Sequence, residues 1–471
     1  VRALVVVALL FAGCAARSRD ARSASESLPR RWHYALSVDA ELSKVDATIC
    51  FDGPSARELR AGKDEAATQL VQARWLSPGS VHRLPVVDGK IQLDPDVDNA
   101  CVAYSVALTE NGNMDASVRR VGRDVLASPN AWLWRPQRRA ADSEATLRMA
   151  LPAGVRASVP WPQKGGDYVL SSDAFGFDSY AAFGRFQPFA VSHGGATLNV
   201  AVLDGALAID PAGISRWLAR TVDIVSGANG VFPIARGQIL IVPASASSDP
   251  IHFGTVARGG AGSVILFMSA NADEASLMRD WVLPHELSHL FLPFVSREQA
   301  WFPEGLATYY QEVLLARAGA FSEQATLRNL WQALASAREE GTGRTLGDES
   351  TAMYDTYAFR AVYWGGAAYF LLADVALRQK SQGKQSLDTV VSELRKRPDH
   401  NSKTWTADEL TAELDRLAGM SLFVPLAEES LRRPFPDYEP TLEAMGVRDG
   451  GKRLDDGAPL AGIRRAIFGK R

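Results

Sequence analysis

In the stretch HELSHLFLPFVSREQAWFPEGLATYY, His285 and His289 stand four residues apart with Glu286 between them, and a second carboxylate, Glu304, follows in FPEG. Residues four apart share one face of a helix, so the two imidazoles can offer nitrogens to a single ion. A hydrolytic zinc site needs three protein ligands and one open position. The metal lowers the pKa of a water in that position, and a nearby carboxylate takes the proton. His285, His289 and Glu304 therefore read as ligands of one zinc ion per chain, with Glu286 as the base. Other divalent metals suit the same donor set in vitro. The competing reading is two structural histidines and a surface glutamate. With only seven histidines in the chain, a chance HExxH is expected on the order of one time in a hundred.

The elements around these residues must bring Glu304 back to the histidines. Pro293 cannot donate a backbone hydrogen bond and disfavours helix at Leu292, so it ends the first helix. A loop turns the chain, and Pro303 suits the first turn of a new antiparallel helix carrying Glu304. Thr308, one turn further, shares the face of Glu304 and is the candidate hydrogen-bond partner of a ligand. Helices are expected at 281–292, 303–318, 322–340, 360–379, 384–396 and 407–417. Ahead of them, GQILIVPAS and SVILFMSA read as buried strands, with the loop ARGGAG between. The strand 263–269 is the expected edge that pairs with an extended peptide. Gly259, Gly260 and Gly262 either admit that peptide's backbone or simply form a turn. His252, near the loop, either lines the cleft or is structural.

HELSH followed by WFPEGLATYYQ resembles the gluzincin peptidases, and within them the aminopeptidase N and glycyl aminopeptidase-like branch. The resemblance implies a thermolysin-like catalytic domain, zinc on His285, His289 and Glu304, and Glu286 as base and proton shuttle. It also implies that Tyr363, in AVYWGGAAYF, donates a hydrogen bond to the oxyanion; Tyr354 and Tyr357 are the fallbacks. Gly366 and Ala367 match the GA of that family segment, whereas Gly365 replaces its lysine. The family's exopeptidases grip the substrate's amino group with a glutamate in a GxMEN segment on an edge strand. The region GGAGSVILFMSA has none, which leaves endopeptidase and aminopeptidase modes both open. A catalytically silent, peptidase-like binding or assembly lipoprotein is the alternative function.

The rest of the chain bounds these readings. Its 471 residues exceed one core, so more than one domain is expected. Hydrophobic content of 46% and charged content of 22% are those of a globular protein. A net charge of −3 with scattered Lys and Arg argues against nucleic acid as a partner. The apolar run Ala3–Gly13 is too short to span a bilayer and reads as a signal segment. It ends in FAGC, which resembles a lipobox with lipidation at Cys14. The expected partners are thus a peptide or protein substrate and a membrane reached through that anchor. The expected location is the bacterial envelope, at the outer membrane facing the periplasm. In an exported chain Cys50 and Cys101 read as one disulfide, against two free thiols. The expected organisation is a signal over 1–13, a tether over 14–30, a β-sandwich over 31–202, the catalytic α+β domain over 203–400 and a helical part over 401–471. Trp132 and Trp134 in NAWLWRPQ read as core residues, with an exposed carbohydrate platform as the alternative.

Overall fold

The computed structural model describes residues 28–470 apart from 78–79, 95–96, 111–117 and 401–402. The signal segment and Cys14 lie outside the described residues. The first half is a β domain of one eight-stranded and two four-stranded sheets. Its first strand, Arg31–Val38, alternates exposed and buried positions. It lies between an antiparallel neighbour, Lys44–Phe51, and a parallel one, Glu144–Ala150. The three sheets share a hydrophobic core containing Trp132 and Trp134, both fully buried. Neither tryptophan is available as a carbohydrate platform. Cys50 and Cys101 face each other on adjacent strands and form a disulfide.

The second half opens with a five-stranded mixed sheet of β1 (Phe189–His193), β2 (Ala196–Val202), β3 (Arg236–Ala244), β4 (Ile251–Ala257) and β5 (Gly262–Ser269). Its order is β1-β2-β3-β5-β4, with β2, β3 and β5 parallel and both edge strands antiparallel. Helix α1 (Pro211–Ser226) makes the crossover from β2 to β3. It is started by the Asp210 carboxylate on the Gly213 N–H at 2.7 Å and by Pro211 in its first turn. The expected boundary at 202 is corrected: β1 and β2 hydrogen-bond into this sheet, so the division between the halves precedes Phe189. The expected edge strand is corrected too. β5 is buried between β3 and β4, and the edge on that side of the sheet is β4.

Helices complete the half. Those that matter for the site are α2 (Val282–Ser288), α3 (Trp301–Arg317) and α4 (Phe359–Lys380). One core runs from Val191 to Phe468 without a break at 401. The segment after 401 is part of the catalytic domain, because it pins the loop between α2 and α3. Trp405 exchanges backbone hydrogen bonds with Phe294 and Ser296 at 2.8 and 3.2 Å. The Gln299 side chain accepts from the Ala407 N–H at 2.7 Å. The helices Leu346–Thr356, Phe423–Leu431 and Ala461–Phe468 were not among those expected from sequence.

Candidate metal centre and active site

Every residue of α2 is buried. Asp280 starts it by accepting from the Val282 N–H at 2.9 Å. The chain then tightens into a 3₁₀ turn over His289–Phe291 and becomes extended at Leu292, as Pro293 requires. The carbonyls exposed by this ending are capped by Arg258, just beyond β4. Its guanidinium donates to Leu292 O at 2.5 Å and to His289 O. Burial lowers the pKa of Arg258 to about 10, which still leaves it charged at neutral pH. The carbonyl of a metal-ligand residue is thus held by a cation that sequence reading missed. Replacing Arg258 with glutamine is expected to weaken zinc binding by about tenfold or more, measured by competition with a chromophoric chelator. Unchanged affinity would mean that solvent serves those carbonyls as well.

Helix α3 returns antiparallel to α2 and carries Glu304 in its first turn. The Trp301 N–H at its start is bound by Ser350 Oγ at 3.1 Å. Glu304 Oε2 lies 3.3 Å from His285 Nε2 and 3.4 Å from His289 Nε2. The three donor atoms all lie within 4.8 Å of one another. A tetrahedral zinc with ligands at about 2.1 Å separates its donors by about 3.4 Å. The two contacts to Glu304 match that spacing, so the residues fit the ion. His285 Nδ1 is 2.9 Å from Gln311 Oε1, which leaves Nε2 free of its proton for a metal. Thr308 does not have the role expected of it: its buried hydroxyl has no hydrogen-bond partner. Both residues lie near the ligand face of α3, but the longer Gln311 makes the contact.

The electrostatics agree with this geometry. Burial alone would raise the Glu304 carboxyl, yet the two imidazoles outweigh it and hold the group well below the usual carboxylate range. Burial pushes Glu286 upward, against the pull of both histidines and a hydrogen bond from the Val256 N–H of β4. Glu286 therefore touches the edge strand as well as the metal side of α2. Gly254 permits this, because a Cβ there would lie 2.7 Å from Val282 Cγ1 and 3.0 Å from Glu286 Cγ.

Tyr363 reaches the same cleft from α4. Its ring lies parallel to that of His285, with centroids 6.1 Å apart and planes at 13°. Burial and then the Glu304 charge raise its pKa, so the hydroxyl keeps its proton. The fallback Tyr357 is 78% exposed, and Tyr354 lies under the Arg297 guanidinium at 3.7 Å. Tyr363 is placed by a crossing at which α3 and α4 touch backbone to backbone. A Cβ on Gly305 would lie 2.4 Å from Gly366 C, and one on Gly366 would lie 1.9 Å from Trp301 O.

The loop glycines lie elsewhere. Gly259 donates to Asp178 O at 2.7 Å, and its carbonyl accepts from Trp161 Nε1 at 2.9 Å. A Cβ on Gly260 would strike Trp161, and one on Gly262 would meet Ile234 and Leu290. Gly259 and Gly260 fit the loop between β4 and β5 against the β domain, Gly262 packs β5 inside the second half, and the substrate role expected of Gly259, Gly260 and Gly262 is corrected to that. His252 is exposed on β4.

Residues 282–410 match the family model of the M61 glycyl aminopeptidases. No curated protein matches the chain. Among solved structures, an aminopeptidase N family protein from Idiomarina loihiensis superposes with a TM-score of 0.70 at 17% identity, over 88% of this chain and 78% of the other. An M1 zinc metallopeptidase mutant from Deinococcus radiodurans, bound to a Tyr-Ser-Ala substrate, gives 0.55 at 14% identity, over 87% and 95%. At such identities the likeness is one of fold.

Proposed function

We propose that this chain, whose second half is a gluzincin metallopeptidase domain of the aminopeptidase N and glycyl aminopeptidase-like group, hydrolyses internal peptide bonds with one zinc ion on His285, His289 and Glu304. The observation that carries the reading is the donor triad, spaced for a tetrahedral ion, with Glu286 beside it and Tyr363 facing it. When bound, the zinc ion would polarise the scissile carbonyl and acidify a water in its open position. Glu286 accepts the proton that this water gives up and passes it to the departing amine nitrogen. The Tyr363 hydroxyl donates to the carbonyl oxygen as that atom gains charge. Gln311 keeps the His285 ring in register throughout.

Cleavage within chains, rather than at a free amino terminus, is favoured by β4. This strand, IHFGTVA, holds no carboxylate, and the residue after it is the cation Arg258. An ammonium group brought along the strand would meet no carboxylate of the strand itself to replace its hydration. The unpaired side of β4 suits an extended polypeptide. The test is digestion of a diverse peptide pool, with and without a chelator, and products read by mass spectrometry. Metal-dependent internal cuts support the proposal; stepwise loss of N-terminal residues would replace it with an aminopeptidase, and no cleavage by a zinc-loaded chain would favour the silent binding protein.

Tyr363→Phe is expected to lower kcat by about 10²-fold with little change in KM or Tm, since only the transition-state donor is lost. Steady-state kinetics beside a melting curve check it. On the sequence alone, the chain is further proposed to be exported and anchored through Cys14 at the periplasmic face of the outer membrane. Palmitate labelling that persists in Cys14→Ser would refute the anchor.

A further inference from the structure

We infer that Trp281 is the specificity wall of the cleft, so that the enzyme prefers an aromatic side chain on a residue next to the scissile bond. This inference rests on the peptidase reading above. A lone exposed hydrophobic residue is ordinary on a protein surface; Trp281 is set apart by its place. It lies one turn before His285, and the His285 N–H bonds to its carbonyl at 3.0 Å. Trp281, His285 and His289 therefore line one face of the same helical segment. Trp281 is 49% exposed. It meets the His285 ring edge-on, with centroids 5.7 Å apart and planes at 85°.

The flat side of that same imidazole is taken by Tyr363. The first metal ligand thus has a phenol on one side and a half-solvated indole on another. A carbonyl held between the metal triad and Tyr363 sends one neighbouring side chain along the cleft wall that the indole forms. On β4, which packs on α2 through Gly254, Phe253 is a second exposed aromatic residue at 43%. The nearest carboxylate in sequence, Asp280, is turned into the protein and engaged by the Val282 N–H. The indole therefore offers aromatic contact and apolar burial, without a partner charge from Asp280 for a basic side chain.

The test compares matched peptides with phenylalanine, lysine or alanine beside the scissile bond, on the zinc-loaded full chain. Turnover is measured for wild type, Trp281→Ala and Trp281→Phe. Binding is measured by calorimetry on Glu286→Gln and on the double variant Glu286→Gln/Trp281→Ala. The expected result is a phenylalanine-over-alanine ratio of kcat/KM that falls about tenfold or more in Trp281→Ala and is restored in Trp281→Phe. The binding ratio should fall in the same direction. A ratio that is flat in wild type, unmoved by Trp281→Ala, or highest for lysine overturns the inference while leaving the peptidase reading intact. Selective binding without turnover overturns the peptidase reading and leaves Trp281 in place. Neither turnover nor selective binding overturns both.

Discussion

Glu286→Gln is expected to lower peptide hydrolysis by about 10³-fold or more while leaving the zinc content at one ion per chain. A positioned general base contributes about 10²–10⁴-fold, and here the same carboxylate must both receive and deliver the proton. Glutamine has the shape of glutamate and can still accept the Val256 N–H through its amide oxygen. It cannot take a proton. The metal donors are His285, His289 and Glu304, none of which the substitution touches. Activity against a peptide substrate, beside metal analysis of the same sample, reads both quantities. Turnover within a few-fold of wild type would remove Glu286 from the reaction. Loss of zinc together with turnover would instead make it part of the metal cage.

The sequence made some parts of this site legible and hid others, for physical reasons that differ by residue. The ligands on α2 were legible because one helical turn fixes their geometry whatever the surroundings. Glu304 was legible because Pro293 and Pro303 mark where one helix ends and the next begins. The edge was assigned to SVILFMSA, although a continuous apolar run marks a buried strand, because no other strand stands out between GQILIVPAS and the first helix of the site. The true edge, IHFGTVA, has its alternation broken by Gly254 and by an irregular register between Ile251 and Phe253. The domain boundary was misplaced for a related reason: β1 and β2 look like the strands before them, and only pairing with β3 assigns them to the catalytic sheet. Gln311 and Arg258 were invisible because their roles depend on contacts that no local spacing encodes. Thr308 shows the converse, since a shared helix face does not supply reach.

Gly366→Ala is expected to cost both stability and turnover, although it adds one methyl group in mid-helix and improves helix propensity by about 1 kcal/mol. That gain is outweighed at the α3–α4 crossing. The new Cβ would lie 1.9 Å from Trp301 O and 2.7 Å from Gly305 Cα, both backbone atoms with no rotamer to escape into. The helices must separate by roughly 1 Å or more to restore van der Waals contact. Overpacking of this kind costs about 1–3 kcal/mol and sometimes more, so Tm should fall by several degrees. The same movement draws Tyr363, less than a turn before Gly366, away from Glu304, which adjoins Gly305. A misplacement near 1 Å at a reacting centre costs about 10²-fold in rate. Gly365→Ala is the control one residue away. Its Cβ would meet Leu346 Cδ1 at 2.8 Å, the far end of a flexible side chain, so the propensity gain should roughly offset the contact. Melting curves and kcat for the two variants decide the matter. If Gly366→Ala melts and turns over like Gly365→Ala, the crossing is looser than its backbone contacts require, and the placement of Tyr363 needs another cause.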